Sequence, residues 1–355
     1  MNKHHHNTSS PCPHCGRRGG FPAHLALSAL FLAAAVFFWW SGRRGAAVAA
    51  APDAAAKPAS IGALSEERVA YMLSPAGADA CGSCLTAADK FLLGKVGVAA
   101  AARTRGMVLV RAGEYQVGSP PGVGDPDEQP RHAVALDAYY LDAREVTVSD
   151  YMKFAEAVQA NYPEWAKPAA KGGTSAVRAD AAAVIASCPS CPVMGVSPKD
   201  ADAYCSWAGK RLPTEAEWEA AARGGTETAF SFGDSPDGIG EYAWYEVNSG
   251  GMPRPVGTKK PNPLGFYDMH GNVWEWTADF YDKGYYAASP KRSPAGPEKG
   301  RDHVLRGGSW AFDPGSLRSG NRASSAKAND DIGFRCAAGK AEIDRLAEAD
   351  AAAAI

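Results

Sequence analysis

Six of the eight cysteines fall in three C-x-x-C pairs, a spacing that suits a metal site, a local disulfide or thiol exchange. The pairs are Cys12 with Cys15, Cys81 with Cys84, and Cys188 with Cys191. None of them is followed by His, so the signal for covalent haem attachment is absent. Two pairs could bind one zinc or iron ion in a tetrahedral site, or could form disulfides, either local or between segments. For the second and third pairs structural disulfides are the preferred interpretation, ahead of a metal site and then of redox work.

The segment from Asn262 to Asp279 concentrates aromatic, amide and carboxylate side chains around Gly265 and Gly271. No helix or strand period runs through it, so the sequence predicts an ordered loop that packs inward. A buried loop leaves backbone carbonyl groups to be satisfied, and a hard cation with Glu275 as its charged ligand would bind them. Internal hydrogen bonding without an ion is the alternative, and on chemistry alone it is favoured.

Short strands and helices are predicted to position these residues. Apolar runs and alternating polarity indicate three strands, and capping residues before apolar periods indicate three helices. The strands are Met107–Val110, Glu114–Ser119 and His132–Leu141, and the helix N-caps are Ser149, Ser197 and Thr214. Almost no helix is expected between Gly225 and the tail. The fold class is therefore α+β, with short strands, few helices and long ordered loops.

The remaining parts of the chain are distinguished by composition. Residues 21–40 contain no charged residue and at 1.5 Å per residue would span about 30 Å, the thickness of the bilayer core. We predict an uncleaved transmembrane anchor rather than a signal peptide, with the soluble domain outside the cytoplasm, periplasmic or at the cell surface. The other parts are a polar tail at 1–20, an Ala/Pro-rich linker at 41–60, a helical segment at 61–105, a globular domain at 106–338 and an Ala-rich tail at 339–355. That last tail is predicted to be a helix packed weakly or not at all.

Composition and charge exclude some partners. The chain has 355 residues, and its 46% apolar content suffices for a substantial core. The net charge of −2 gives no argument for binding nucleic acid or an anionic membrane surface. The expected partners are the membrane, through the N-terminal helix, and a protein or natural-product substrate of unknown identity.

Five motifs resemble those of the formylglycine-generating (sulfatase-modifying) enzyme family. They occur in the family's order over about 107–337, and the resemblance implies a single compact domain of the C-type-lectin-like fold. The longest is Gly-Phe-Tyr-Asp-Met-His-Gly-Asn-Val-Trp-Glu-Trp at 265–276. The others are Met107–Val110 with Gly113–Ser119, Tyr204–Glu219, Leu305–Trp310 and Ile332–Cys336.

The resemblance also implies a chemistry whose residues this chain lacks. The family's oxygen-dependent members convert a cysteine of a sulfatase to formylglycine, with two copper-binding cysteines shortly after the Gly-Gly-Ser-aromatic motif. Aligning Gly307–Trp310 with that motif without gaps places Phe312 and Leu317 at the two cysteine positions. Neither side chain can bind copper or exchange a thiol, and residues 306–335 contain no Cys, Met or His. Copper is not expected, and formylglycine generation by that mechanism is not predicted.

A polar, Gly-rich loop occupies the place of the missing cysteines. Any one of its side chains can be part of a satisfied structural pair, but together they could line a pocket. The pocket candidates are Asp313, Arg318, Asn321 and Arg322, with Trp276, Ser309 and Trp310 expected nearby by family analogy. Some family relatives that resemble this pattern, without the cysteine pair, act in maturation of a siderophore chromophore, and others lie beside a His-rich iron-binding domain in sulfur–carbon bond formation. The segment between the predicted anchor and Met107 contains no His, so that iron domain is not expected.

The resemblance implies calcium and one disulfide. The first calcium site would use the backbone carbonyls of three residues and the carboxylate of a fourth, which suits a hard cation. These are His270, Gly271 and Val273 for the carbonyls and Glu275 for the carboxylate. A second, less expected site would use Asn248 and the carbonyl of Ser249. Cys205 and Cys336 occupy positions where the family forms a disulfide, and two buried free thiols are the alternative.

Three functions remain open from the sequence. The first is a membrane-anchored accessory or maturation factor that acts on a protein or natural product, and it is slightly preferred. The second is a non-catalytic, calcium-stabilised binding module on the same scaffold. The third is sulfatase modification by a variant mechanism without the cysteine pair. A deep polar pocket around Asp313, Arg318 and Asn321 would favour the first, whereas a flat or filled surface would favour the second.

Overall fold

Short strands and a few helices, joined by long loops, make up the part of the chain that this computed structural model describes, residues 87–166 and 186–353. The helices are α1 (Ala87–Arg103), α2 (Val148–Val158), α3 (Pro198–Trp207), α4 (Glu215–Arg223) and α5 (Lys340–Ala353). The strands are β1 (Met107–Val110), β2 (Gly113–Val117), β3 (His132–Leu136), β4 (Tyr139–Asp142), β5 (Trp274–Phe280), β6 (His303–Arg306), β7 (Ala323–Ser325), β8 (Ile332–Gly333) and β9 (Ala337–Gly339). Residues 97–352 form one compact unit. The predicted α+β class is confirmed.

Two small sheets contain the N-terminal strands of this unit. β2 and β3 form an antiparallel pair, and β4 lies between β1 and β9 in a three-stranded antiparallel sheet. The first two predicted strands are confirmed. The third, predicted as one strand over His132–Leu141, is two strands separated by Asp137 and Ala138. The break lets β3 pair with β2 while β4 pairs with β1, so one continuous apolar pattern serves two sheets.

A four-stranded sheet in the order β7-β6-β5-β8 is the largest sheet of the described residues. Its strand β5 begins at Trp274, so the prediction of a loop through Asp279 is wrong for the second half of that segment. Five of the first six residues of β5 are buried, including Trp274, Glu275 and Trp276. A strand covered on both faces has no polar alternation, which is why the period was not visible in the sequence.

The helices begin largely where capping chemistry predicts. Ser197 and Thr214 each accept a hydrogen bond from the backbone N–H three residues on, and each belongs to a capping box. Gly224, in the left-handed conformation at φ 62°, ends α4 as expected. The prediction of Ser149 as a cap is wrong, because Thr147 accepts the N–H of Asp150 at 3.1 Å.

The C-terminal tail is better packed than predicted. Helix α5 follows directly from β9 and buries Ile343, Ala347 and Ala351, which lie at intervals of four residues on one face. On its exposed side Asp350 forms an ion pair with Arg103 of α1 at 2.8 Å. The prediction of a weakly packed helix is wrong because small alanines can still close an interface that Ile343 anchors.

Several predictions concern residues 1–86, which lie outside the described residues. They are the anchor, the linker and the pairs Cys12 with Cys15 and Cys81 with Cys84. Among residues 87–166 and 186–353, no helix is both long and apolar enough to cross a membrane. The anchor therefore stays a prediction, and so do the disulfide and metal interpretations of Cys81 and Cys84.

Candidate functional site

The two positions aligned with the family's cysteines lie at either end of a short loop after β6. Asp313 begins a 3-10 turn, Pro314–Leu317, and its carboxylate accepts the N–H groups of Gly315 and Ser316 at 2.7 and 3.3 Å. This turn directs Leu317 inward, where it is completely buried among Phe230, Ile239 and Ala243. Phe312 is 38% exposed and contacts the edge of Trp274 at 5.5 Å between ring centroids. No thiol, thioether or imidazole is present at either position, so the residues do not fit a copper ion.

Gly308 and His270 determine the position of Leu317. A Cβ atom on Gly308, at φ +76°, would lie 2.7 Å from Leu317 Cδ1 and 2.9 Å from the Ser316 oxygen. His270 Nδ1 donates to the carbonyl of Leu317 at 2.8 Å, and its Nε2 accepts the N–H of Ser231 at 3.1 Å. Burial lowers the pKa of His270 to about 4, so the ring is neutral at physiological pH. His270 therefore joins the signature segment to the loop that carries Leu317.

Arg318 and Asn321, two of the pocket candidates, bind the carboxylate of Glu128. Arg318 donates from Nη1 and Nη2 to the two oxygens of Glu128, each at 2.7 Å. Asn321 Nδ2 donates to Glu128 Oε1 at 3.3 Å. Glu128 is completely buried. Burial alone would raise its pKa, but Arg318, Ser119 and the Asp125 N–H stabilise the charged form and lower the pKa to about 2. The sequence did not single out Glu128, although it lies in an acidic loop.

Arg322 belongs to a second buried network centred on helix α4. Glu215 and Glu219, four residues apart on one face of α4, bind arginines that come from β6 and the loop beyond it. Arg322 donates to both oxygens of Glu215 at 2.7 and 3.0 Å, and Arg306 donates to Glu219. Arg223 donates to Glu219 at 2.7 Å from within α4. These side chains are at most 6% exposed, so each charge depends on its partner.

The remaining pocket candidates also make internal contacts. Trp276 is completely buried and donates its indole N–H to the carbonyl of Val196 at 3.0 Å. Ser309 donates to Asp331 Oδ2 at 3.1 Å, and burial raises the pKa of Asp331 to about 6. The structure therefore distributes the predicted pocket residues over several separate internal interactions. Two buried polar atoms, Trp310 Nε1 and Asp331 Oδ1, have no hydrogen-bond partner among the described residues.

The carboxylate of Glu275, which is predicted to bind the first calcium ion, forms an ion pair with Arg335. Arg335 donates to both oxygens of Glu275 at 2.7 Å, and Trp218 Nε1 donates to the same carboxylate at 2.9 Å. Glu275 and Arg335 are 1% and 0% exposed. A buried bidentate pair leaves no free charged ligand for a cation, so the donor set as it lies does not fit calcium.

The second predicted calcium site is likewise occupied by arginine. The carbonyl of Ser249 accepts Arg254 Nε at 2.6 Å. Both polar atoms of the Asn248 amide are used within its own loop, by the N–H of Tyr245 and the carbonyl of Ala243, each at 2.9 Å. Calcium binding at these two sites stays a prediction, because hydrogen bonds between protein groups are not a measurement of metal binding.

Further buried carboxylates, missed by the sequence reasoning, lie beside Glu275. Burial, then the charges of Asp268 and Glu275, raises the pKa of Glu145 well above its ordinary value. Burial raises the pKa of Asp268 to about 6, and its Oδ1 has no partner among the described residues. Glu145 accepts a hydrogen bond from Asn272 Nδ2 at 2.8 Å, which joins Glu145 to the motif at 265–276. Within residues 87–166 and 186–353, no group of three or more His, Cys, Asp or Glu side chains is placed to bind a metal.

The described cysteines form two disulfides, Cys188–Cys191 and Cys205–Cys336. The second confirms the pairing that the family resemblance implied, and it joins α3 to the segment between β8 and β9. With sequence separations of 3 and 131, the chain-entropy model assigns about 2 kcal/mol to the short loop and about 5 kcal/mol to the long one.

The metal alternative for the paired C-x-x-C segments is wrong for Cys188 and Cys191. Their sulfur atoms are bonded to each other, and a disulfide sulfur is not a thiolate ligand. A zinc or iron site that combines this pair with Cys81 and Cys84 therefore does not form in this state of the protein. Cys81 and Cys84 themselves lie outside the described residues, so a local disulfide between them stays a prediction.

Comparison with known proteins identifies the scaffold. Residues 94–340 match the family model described as sulfatase-modifying factor enzyme 1-like domain. The chain is 35% identical over 284 residues to the formylglycine-generating enzyme of Streptomyces coelicolor, covering 66% of this chain and 89% of that protein.

Two further comparisons extend this result. The chain is 38% identical over 169 residues to the inactive Cα-formylglycine-generating enzyme 2 of Mus musculus, covering 41% of this chain and 48% of that protein. The solved structure of PvdO from Pseudomonas aeruginosa is 30% identical with a TM-score of 0.55, over 66% of this chain and 94% of PvdO. The shared motifs, fold and sequence identity show that this chain belongs to the sulfatase-modifying factor (formylglycine-generating enzyme) family.

Proposed function

We propose that this chain is a non-catalytic, binding member of its family. The observation that supports this most is the replacement of both catalytic cysteine positions by Phe312 and a completely buried Leu317. The polar residues around them are bound internally, as Arg318 is to Glu128 and Arg322 is to Glu215. A site whose charges are already paired offers little to a polar substrate. The similarity to a mouse protein that is named inactive is consistent with this proposal.

The binding face we propose is the surface around Phe312. Exposed apolar side chains occur on two adjacent loops, with Phe312 at 38% and Val247 at 74% exposure. The N–H of Glu246 donates to the Phe312 carbonyl at 3.2 Å, so the two loops are joined at this point. Exposed apolar side chains on neighbouring loops suit a protein partner better than a small charged molecule.

The binding face has a site-specific test. A photo-crosslinking amino acid at Phe312, compared with the same residue at the similarly exposed Val158 of α2, is expected to give a discrete protein adduct only at Phe312. Identical adducts at both sites, or none at either, would remove the Phe312 surface as the binding face.

Catalysis is tested directly with a peptide. A cysteine peptide carrying a sulfatase-type sequence, incubated with the purified chain and oxygen with and without copper, is expected to keep its thiol, as followed by mass. The Streptomyces coelicolor enzyme provides the positive control. Formation of the aldehyde by this chain would overturn the proposal and establish the variant mechanism.

A maturation enzyme is the second candidate. Trp310 Nε1 and Asp331 Oδ1 are a buried donor and a buried acceptor without partners among the described residues, and unmatched groups of this kind favour a ligand. The anchor at 21–40, which would hold the domain outside the cytoplasm, belongs to either proposal. Carbonate extraction of membranes containing the full chain tests it, since an anchored protein stays with the lipid.

A further inference from the structure

The two disulfides of the domain differ in their access to solvent. Cys188 is half-buried, whereas Cys191 is only 2% exposed. Cys205 and Cys336 are both completely buried. An attacking thiolate must reach a sulfur atom in line with the S–S bond, so the sulfur of Cys188 is the accessible one. A thiolate in solution can therefore reach the Cys188–Cys191 disulfide but not the Cys205–Cys336 disulfide.

The backbone of the Cys188–Cys191 loop is fixed without help from the S–S bond. Every carbonyl group in the loop accepts a backbone hydrogen bond of 2.9 to 3.1 Å. The donors are the N–H groups of Cys191, Ser149, Val256 and Val148, to the carbonyls of Cys188, Pro189, Ser190 and Cys191 respectively. Reduction would break one covalent bond and leave these contacts in place. The dithiol form is therefore compatible with the same fold.

Helix α2 gives the loop an electrostatic bias. Its first two N–H groups, from Val148 and Ser149, donate to carbonyls of the loop, so the positive end of the helix dipole lies against it. These two bonds hold the loop, with both of its cysteines, against the start of α2.

We propose that the Cys188–Cys191 disulfide is a reversible two-electron acceptor that oxidises a pair of thiols on a partner protein. A partner thiolate attacks Cys188 Sγ, the bond between Cys188 and Cys191 breaks, and Cys191 leaves as a thiolate. The second partner thiolate then attacks the partner sulfur of this mixed disulfide and releases Cys188. The partner gains a disulfide, this chain gains two thiols, and the two protons from the partner thiols return to Cys188 and Cys191.

Differential reduction of the native full chain tests this proposal. The oxidised protein is treated with low millimolar dithiothreitol without denaturant, quenched with an alkylating agent over time, and digested for mass spectrometry. The peptide with Cys188 and Cys191 is expected to be alkylated at least tenfold faster than those with Cys205 and Cys336. Returning the protein to oxidised glutathione should restore the short disulfide. Peptide resolution separates these signals from those of Cys12, Cys15, Cys81 and Cys84.

Single variants identify the attacked sulfur. In C191A the remaining thiol of Cys188 should form a mixed disulfide with oxidised glutathione, at least tenfold faster than Cys191 does in C188A. Equal rates in the two variants would contradict the assignment of Cys188. The proposal fails if both wild-type disulfides are reduced together, or if neither is reduced until the protein unfolds, because the short bridge would then be purely structural.

Discussion

Glu128 is a completely buried carboxylate whose charge depends on Arg318. Replacing it by glutamine leaves a largely buried guanidinium without its counter-charge, so we expect E128Q to lower the free energy of unfolding by about 3 kcal/mol at pH 7. The change in the free energy of unfolding is measured by urea titration. The matched control is D137N, which removes an exposed ion pair with Arg292 and should leave the urea midpoint unchanged. An equal effect of both variants would show that burial does not strengthen the pair.

Glu128 also makes the free energy of unfolding depend on pH. The folded pKa of Glu128 is about 2, below the value of about 4.3 expected in the unfolded chain. The pair therefore contributes fully above about pH 4.5, and its contribution is lost as the pH falls toward 2. We expect the difference in unfolding free energy between wild type and E128Q to shrink between pH 4.5 and 2.5. A difference that stays constant over this range would contradict the lowered pKa.

The sequence predicted some of these residues and not others, for a physical reason. Phe312 and Leu317 were predictable as unable to bind copper or exchange a thiol, because their side chains lack donor atoms in any fold. The polar candidates Arg318 and Arg322 were visible as charges, but their partners Glu128 and Glu215 are remote in sequence. A local pattern does not show which carboxylate neutralises an arginine across the fold. Pairing turned the predicted pocket into internal ion pairs.

The two disulfides should contribute unequally to the elements that they join. Cys205–Cys336 closes a long loop between α3 and the segment that joins β8 to β9, so C205A/C336A should lose about 4–5 kcal/mol in urea unfolding. The variant C188A/C191A opens only a tight turn and should lose about 2 kcal/mol. Equal losses would mean that native-state strain or residual unfolded structure outweighs loop entropy.

Elements were predictable where a local signal specifies them. Capping boxes at Ser197 and Thr214 are complete within four residues, and both were predicted from the sequence. Strand β5 was missed because burial on both faces removes the alternation that identifies a strand. The packing of α5 was missed because an Ala-rich segment has the same composition whether it is exposed or docked.

Helix α5 provides a test of that docking. Ile343 is 2% exposed, so I343A should lower the free energy of unfolding by about 2–4 kcal/mol through a lost contact and a cavity. The neighbouring R345A is the control, since Arg345 is largely exposed and its change should stay within about 0.5 kcal/mol. If I343A behaved like R345A, the helix would be loosely attached, as its composition suggests.

At the scale of the whole molecule, arginines lie at the two places where calcium would supply positive charge in this scaffold. Arg335 binds Glu275, and Arg254 binds the Ser249 carbonyl, at the two places where the family resemblance implies a cation. Among the oxygen atoms of the first implied site, Arg335 binds both of those of Glu275, the one charged ligand, and its other hydrogen bonds go to the carbonyls of Asp142 and Tyr267. The domain should therefore fold and remain stable without a divalent cation.

Chelation tests this expectation. A calcium site at a hundredfold excess over its dissociation constant adds about 2.7 kcal/mol, which for a domain of this size corresponds to a fall of about 5–10 °C in melting temperature when the ion is removed. We instead expect dialysis against EDTA to change the melting temperature by less than about 1 °C, with calcium below one equivalent by elemental analysis. EDTA saturated with calcium is the control for effects of the chelator itself. A fall of several degrees that added calcium reverses would mean that the ion displaces Arg335 from Glu275, and R335Q should then bind calcium more tightly than wild type.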